Sequence, residues 1–478
     1  MVNTSKHTFR ASLLLGLMLF LFSCSSYNDM IGPYYKQVST GNYTEAIKEL
    51  DKNSLLKKPR NKLLFLMEKG KTSHLVGDYE NSNRYFNEAD QLLENGMGGA
   101  MDAVVGTLVN PMNQVYKGED FEKFMIHYYK ALNYVYLNRT EDAIVEARRI
   151  SLQSQEQGDK FNNKENRYSK DAFSLMLQGL IYEHDGDVNN AFIAYRNAAE
   201  VYLNSKDHTY YGTAMPEGLK KDLLRTADGM GFTAELQRFE GLFNLKYTRE
   251  KAPEGGELIF FWENGLAPVK QQEEFFFSLI KGSDGGLFFT NVGGTIIIPF
   301  NNSYGNSNDF NASSIQSLRA TYPKYVARPP FYNTATLSNG TNTANFEKAE
   351  DINELAFKTL DQRFLKEMSK VLTRLAVKKA AEYVLRESAK GTGKNGKDNS
   401  LLEGLGLGVQ LYSLLSEKAD TRNWQSLPAH ISYTRIPLQK GANTITLNLK
   451  GANGSNETKT IEVTGTGKLQ FYNYSTLR

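Results

Sequence analysis

The sequence predicts an α+β chain of several domains: an N-terminal solenoid of helical repeats, then a β-sandwich-like half with a helical insertion. Three observations carry this prediction. Small and aromatic residues recur at fixed spacing through residues 24–250, as they do where helix pairs stack. From Glu257 onward, short aromatic and β-branched runs separated by Gly, Asn and Asp read as strands. Within that half, Ala349–Lys390 returns to helical periodicity, with Leu365, Met368, Leu372 and Leu375 on one face.

Residues 1–23 precede the repeats and have the form of a leader. Lys6, His7 and Arg10 form a basic start, and Ala11–Ser23 is a mostly apolar run. Thirteen residues are too few to cross a bilayer, which takes about 20, and they fit a secretory h-region. The run ends Leu21-Phe22-Ser23-Cys24, and Cys24 is the only cysteine. It can form no internal disulfide. The stretch resembles the lipobox of bacterial lipoproteins, and that resemblance implies acylation of Cys24. Two or three acyl chains, palmitate among them, hold a protein stably on a membrane, whereas one does so marginally. Ser25, rather than Asp, follows the cysteine. By the sorting rule of Gram-negative lipoproteins this favours the outer membrane, here expected to be its periplasmic face. The alternatives are an ordinary signal peptide with an incidental cysteine, or an uncleaved anchor.

The clearest repeat is LMLQGLIYEHDGDVNNAFIAYRNAAEVY, Leu175 to Tyr202. Gly179 and Ala191 are small enough for two antiparallel helices to approach, Tyr182 and Tyr195 fill the space around that contact, and Asp185-Gly186-Asp187 makes the turn. The pattern resembles the tetratricopeptide repeat. Weaker copies surround Gly41, Gly70 and Ala131, and Pro216–Leu245 reads as a cap on the apolar end. Between the second and third copies, ENGMGGAMDAVVGTLVNPMNQVYKGEDFEK is expected to add a buried or partner-covered helical hairpin. In the repeat family the first helix of each pair lines a concave groove. The matching positions place Lys71, Tyr128, Leu132, Phe173, Met176 and Leu180 there, with Glu183 near one end. The basic clamp that chaperone-binding members use for a carboxylate is absent. These side chains either bind an apolar peptide or helix of a partner, or are covered by the chain's own segments.

The β half divides into strands over 251–345, a helical insertion over 346–418 and closing strands over 419–478. ELIFFWENG, EEFFFSLI, GGLFFTNV and GTIIIPF open it; ATYPKYVARPPFYNTATLSNG adds edge strands broken by proline. A second short helix is expected at Leu401–Lys418, after a Gly/Lys-rich linker, and one split sandwich is the expected outcome. WENGLAPVK, the Arg374/Lys378 helix and ADTRNWQSLP resemble a family of bacterial repeat-containing lipoproteins of poorly defined biochemistry. The resemblance implies architecture and location, not an activity. Asp420 and Arg422 can pin a turn, and Trp424 can plug the sandwich or stack on a ligand. Lys366, Lys370, Arg374 and Lys378 recur every four residues as one basic ridge. It is either a solvated face or a contact for anionic headgroups or envelope polymers.

The chain carries 56 basic and 53 acidic residues, and loss of residues 1–23 leaves 54 basic residues against 53 acidic ones. That balance argues against a nucleic-acid binder held by phosphate contacts. No catalytic residue, metal ligand set or cofactor motif stands out. The six histidines form no zinc spacing, there is no G-x-S-x-G, and GLGLG at Gly404–Gly408 lacks the P-loop lysine. The expected function is a non-enzymatic, membrane-tethered periplasmic scaffold that binds other envelope proteins or peptides through the solenoid groove. The alternative is a glycan- or nutrient-binding lipoprotein like the starch-utilisation binders, against which two Trp are few for sugar stacking.

Overall fold

The computed structural model describes residues 27–96, 111–162, 168–283, 285–300, 317–391 and 418–478. Cys24, residues 97–110 of the expected hairpin, and residues 401–417 of the expected second helix lie outside the described residues. Among the described residues no helix is long and apolar enough to cross a membrane.

Among the described residues the first half forms five stacked helical hairpins of tetratricopeptide-like form. They are α1 (Tyr27–Ser39) with α2 (Tyr43–Lys52), α3 (Lys62–Leu75) with α4 (Tyr79–Glu94), α5 (Asp120–Tyr136) with α6 (Thr140–Lys160), α7 (Ala172–Asp185) with α8 (Val188–Leu203), and α9 (Glu217–Gly229) with α10 (Thr233–Phe243). Local chemistry sets their ends. Asp78, Asp171 and Asp187 each accept the backbone N–H three residues on, capping α4, α7 and α8. Gly186 ends α7 at φ +88°, a conformation that side chains with a Cβ rarely adopt. The small-residue rule holds physically: a Cβ at Gly179 would run into the Tyr195 ring, and one at Gly70 would lie 2.7 Å from Phe86.

Among the described residues the second half contains three four-stranded sheets. The middle sheet has the order β10 (Glu347–Asp351), β11 (His430–Pro437), β3 (Glu257–Asn264), β14 (Leu469–Thr476). The outer sheet runs β13 (Asn456–Gly465), β12 (Gly441–Gly451), β8 (Tyr332–Ser338), β9 (Thr343–Asn345). The third runs β6 (Ile297–Pro299), β5 (Leu287–Asn291), β4 (Val269–Lys281), β7 (Leu318–Val326), and the long helix α11 (Ile352–Gly391) packs on it. A two-residue pair, β1 (Thr209–Tyr210) with β2 (Thr213–Ala214), sits between α8 and α9.

Side-chain alternation along β3 explains the layering. Leu258, Phe260 and Trp262 pack with Leu337, Ile445, Leu447 and Leu449 of the outer sheet, which forms the sandwich core. Ile259 and Phe261, one residue out of phase, join the core of the helical half. The middle sheet is therefore buried on both faces, which is why ELIFFWEN reads as a continuous apolar run rather than an alternating one.

Three expectations are corrected here. The strands make one two-sheet sandwich plus a separate sheet, because Phe277, Phe289, Leu318 and Ala320 turn toward the helical core and α11. Glu347–Asp351 is a strand paired with β11, not the start of the helix. Leu365 is 61% exposed while Met368, Leu372 and Leu375 are buried. Its neighbour Phe364 takes the contact, with ring centroids 5.6 Å from Phe275 and 5.0 Å from Tyr322.

Two glycines should respond oppositely to substitution. Gly179→Leu forces the α7–α8 pair apart and is expected to cost at least ~1–3 kcal/mol by overpacking. Gly241→Ala in α10 meets nothing within 4 Å and is expected to stabilise by about 0.4–1 kcal/mol through the unfolded chain. Thermal and urea midpoints of both variants check this; a Gly179→Leu midpoint equal to the parent's would refute the tight helix pair.

Candidate functional site

The concave side of the solenoid is not open. Lys71, Tyr128, Leu132, Phe173, Met176 and Leu180 are all buried, none more than 1% exposed. The expectation that they meet an external partner is corrected: the chain's own middle sheet covers them. Phe261 of β3 packs at 5.8 Å from both Tyr128 and Phe173, edge to face. One residue further on the same face, Glu263 reaches Lys71 and forms an ion pair in which neither side chain is exposed.

The carboxylate of Glu263 is saturated with donors. It accepts from Lys71, from Tyr128 Oη at 3.1 Å, Tyr129 Oη at 3.2 Å, Asn473 Nδ2 at 3.0 Å and Ser475 Oγ at 2.7 Å. Burial opposes its ionisation, but the charge of Lys71 and the bonds from Lys71 and Ser475 outweigh that and hold it at about 2. His74 lies beside it. Its Nδ1 is 2.6 Å from Asn133 Oδ1 and its Nε2 is 2.9 Å from Asn473 Nδ2. The amide donor at Nε2 leaves no room for a second proton there, so the ring is neutral with hydrogen on Nδ1. Burial, then the Lys71 charge, lowers it to about 4.

Two further carboxylates fasten other parts of the β half. Glu183, near one end of the groove, accepts from Arg435 at 3.1 and 3.2 Å, Arg225 at 2.8 Å and Tyr195 at 2.7 Å. Burial opposes its charge, and the two guanidinium groups overcome that and hold it at about 2. Glu119, at the start of α5, accepts from Lys270 of β4 and from Arg363 of α11 at 2.6 Å. Against the same burial, Arg363 and Lys270 bring it to about 2.

An irregular segment, Ala419–Ala429, fills the rest of the groove. Glu122 of α5 accepts the backbone N–H of Trp424 at 2.7 Å, and Glu68 of α3 accepts that of Gln425 at 3.0 Å. The Trp424 ring lies 5.7 Å from Phe86 and 6.0 Å from Tyr129. Arg422 holds Asp420 through two nitrogens at 2.8 and 2.6 Å, so the expected turn pair forms, and it also donates to Asn61 and to the Gln114 carbonyl. Trp424 is fully buried; it plugs the solenoid rather than the sandwich and offers no face to a ligand.

The basic ridge is also corrected. Lys366 and Lys370 are exposed and Lys378 is half-buried, but Arg374 is buried. A four-residue step overshoots the 3.6-residue turn by about 40°, so the row winds from solvent into the face that packs on the third sheet. One group of possible metal ligands occurs among the described residues: Asp90, His127 and Glu146. Lys130 already occupies its centre, 2.8 Å from Asp90 and 2.9 Å from Glu146, and Arg149 adds a second cation 2.8 Å from Asp90. Glu68 and Glu122 were not anticipated as groove residues. The signal for them was a carboxylate on an otherwise apolar inner helix, as in LLFLMEKGK.

No protein-family model and no curated protein matches the chain. Among solved structures it is similar to MamA, at 15% identity over 45% of this chain and 91% of that one, with a TM-score of 0.26. BtubC from P. vanneervenii matches at 13% identity over 45% and 77%, with a TM-score of 0.28. A MamA fragment from Desulfovibrio magneticus RS-1 matches at 15% identity over 46% and 98%, with a TM-score of 0.27.

Two outcomes follow for the groove. Lys71→Met strands Glu263 without its cation and is expected to cost ~3–5 kcal/mol, while Lys71→Met with Glu263→Gln recovers most of it, read from urea midpoints. The second concerns acid. Unfolded histidine takes a proton near 6.5, but native His74 refuses it until about 4. The unfolded state then binds more protons, so stability falls as pH drops from about 6.5 to 4, by on the order of 3 kcal/mol at the lower end. Glu263 adds to the loss in the same direction below about 4.5. His430, also lowered by burial, works the same way, so the diagnostic is the difference between chains. The parent midpoint should fall more steeply between pH 7 and 5 than that of His74→Gln; parallel curves would disprove the assignment.

Proposed function

We propose that the protein is a non-catalytic scaffold of a bacterial envelope, tethered to the outer membrane through acylated Cys24 and facing the periplasm. The observation that carries this reading is the closed groove. The ionisable groups gathered there, Lys71, Glu263, Glu68, Glu122 and Arg422, bond to one another and to the chain's own backbone. Such an arrangement supports a rigid body rather than a reaction centre. Partners then meet its outside. The outward face of the third sheet supports that role: Phe276, Ile280 and Ile297 are each 45–62% exposed. Cross-strand pairing puts Phe288 opposite Ile280, and Pro299 opposite Phe288. An apolar strip of this kind fits an apolar segment of another envelope protein. The glycan-binding alternative loses its stacking residues, because Trp262 and Trp424 are both internal.

The test has two parts. Cys24→Ala should abolish palmitate labelling and leave the precursor uncleaved; persistent labelling would end the lipoprotein reading. A photo-crosslinking residue at Phe276 should capture a defined envelope protein in cells, and Ile280→Ser should reduce that capture with an unchanged melting temperature. Crosslinks no different from those at the exposed Lys459 of β13 would end the scaffold reading at this face.

A further inference from the structure

We infer that the folded body lies directly against the bilayer, and that the surface around the start of α1, with Lys57, Lys58, Met30 and Val326, is a docking face for anionic lipid. This rests on acylation at Cys24. Only Ser25 and Ser26 separate Cys24 from Tyr27, and Tyr27 is 3% exposed. The three extended steps from Cys24 to Tyr27 reach at most about 11 Å. Asn28 is already fixed: it donates to the Lys270 carbonyl at 2.9 Å and accepts from Gln425 at 2.8 Å. No spacer exists in which the body could swing away from its anchor, so whatever surrounds Asn28 faces the headgroups.

What surrounds it suits that position. Asn53 donates to the Met30 carbonyl at 3.0 Å, which sets the turn between α2 and α3 against the first turn of α1. That turn carries Lys57-Lys58-Pro59-Arg60, with both lysines exposed. Met30 is 40% exposed on one side. On the other side Val326 is exposed and pairs with Val269, the residue before Lys270. The acidic groups nearby are few. Asp29 is exposed, while Asp51 is matched by Lys69 and Glu273 by Lys324. The reach of the anchor is comparable to the Debye length of about 8–10 Å at physiological salt, so the two lysines act within the range where anionic lipid attracts them.

The test uses the acylated chain reconstituted in phosphatidylethanolamine vesicles with or without phosphatidylglycerol. The sole native thiol is consumed by acylation, so a single introduced cysteine can be labelled cleanly. A fluorophore is placed at Ser54→Cys, in the docking face, or at Gln237→Cys, exposed on α10 at the far end of the solenoid. A nitroxide carried on lipid headgroups should quench the first severalfold more than the second. Adding Lys57→Glu and Lys58→Glu, raising salt, or omitting phosphatidylglycerol should each reduce quenching at 54. Equal quenching at both sites in chains that float with the vesicles would overturn the docking face while leaving the anchor intact. Chains that carry no palmitate and fail to float would overturn the anchor, and the face with it.

Discussion

The Lys71–Glu263 ion pair is the contact on which the joining of the two halves depends. Two charges removed from water cost several kcal/mol each, and mutual attraction repays this only with good geometry and further hydrogen bonds. Here Tyr128, Tyr129, Asn473 and Ser475 supply them. Such a pair adds little net stability over an apolar one, but it fixes position. A shift of β3 by one residue would turn Glu263 into the apolar sandwich and bring Trp262 or Asn264 to Lys71. The penalty for that error is what sets the register of the middle sheet against the helices.

The same logic recurs across the interface. Glu183 meets Arg435 and Arg225, and Glu119 meets Lys270 and Arg363. Arg435, Lys270 and Arg363 come from the β half or from α11, and Arg225 reinforces Glu183 from α9 within the solenoid. Glu122 and Glu68 instead accept the backbone N–H groups of Trp424 and Gln425 respectively, which lie in an irregular segment with no strand to satisfy them. The groove thus treats Ala419–Ala429 as a repeat solenoid treats a bound peptide, with an aromatic anchor in a pocket and the main chain read by side chains. The bound peptide belongs to the same molecule.

What was legible in the sequence was local. Gly179 and Tyr195 sit sixteen residues apart and announce their own contact; the Asp420–Arg422 pair needs only a turn. Strand positions followed from composition over a few residues. What was not legible was non-local. Nothing around Lys71 names Glu263, 192 positions away, and nothing around Asn28 names Gln425, 397 positions away. An apolar concave face looks the same in sequence whether a partner or a distant strand covers it. The basic ridge failed for a different reason: four-residue spacing was treated as a straight row, and the 3.6-residue turn carries Arg374 round to the packed side.

These separations also decide how the molecule must fold. The hairpins contain local contacts and can form early, but their inner faces then expose apolar side chains, and α3 exposes Lys71, until the β half arrives. The last donors to Glu263 come from Asn473 and Ser475, and His74 waits for the same asparagine. The groove is therefore complete only when β14, three residues beyond the end of β13, has paired in parallel with β3. Parallel pairing across more than 200 residues is slow because loop closure precedes any gain from contact. A chain lacking those final strands leaves Glu263 short of two donors and Phe261 short of its neighbour Phe471. The solenoid and the sandwich are consequently one cooperative unit. The apparent repeat domain is half of a core whose other half is encoded at the far end of the chain.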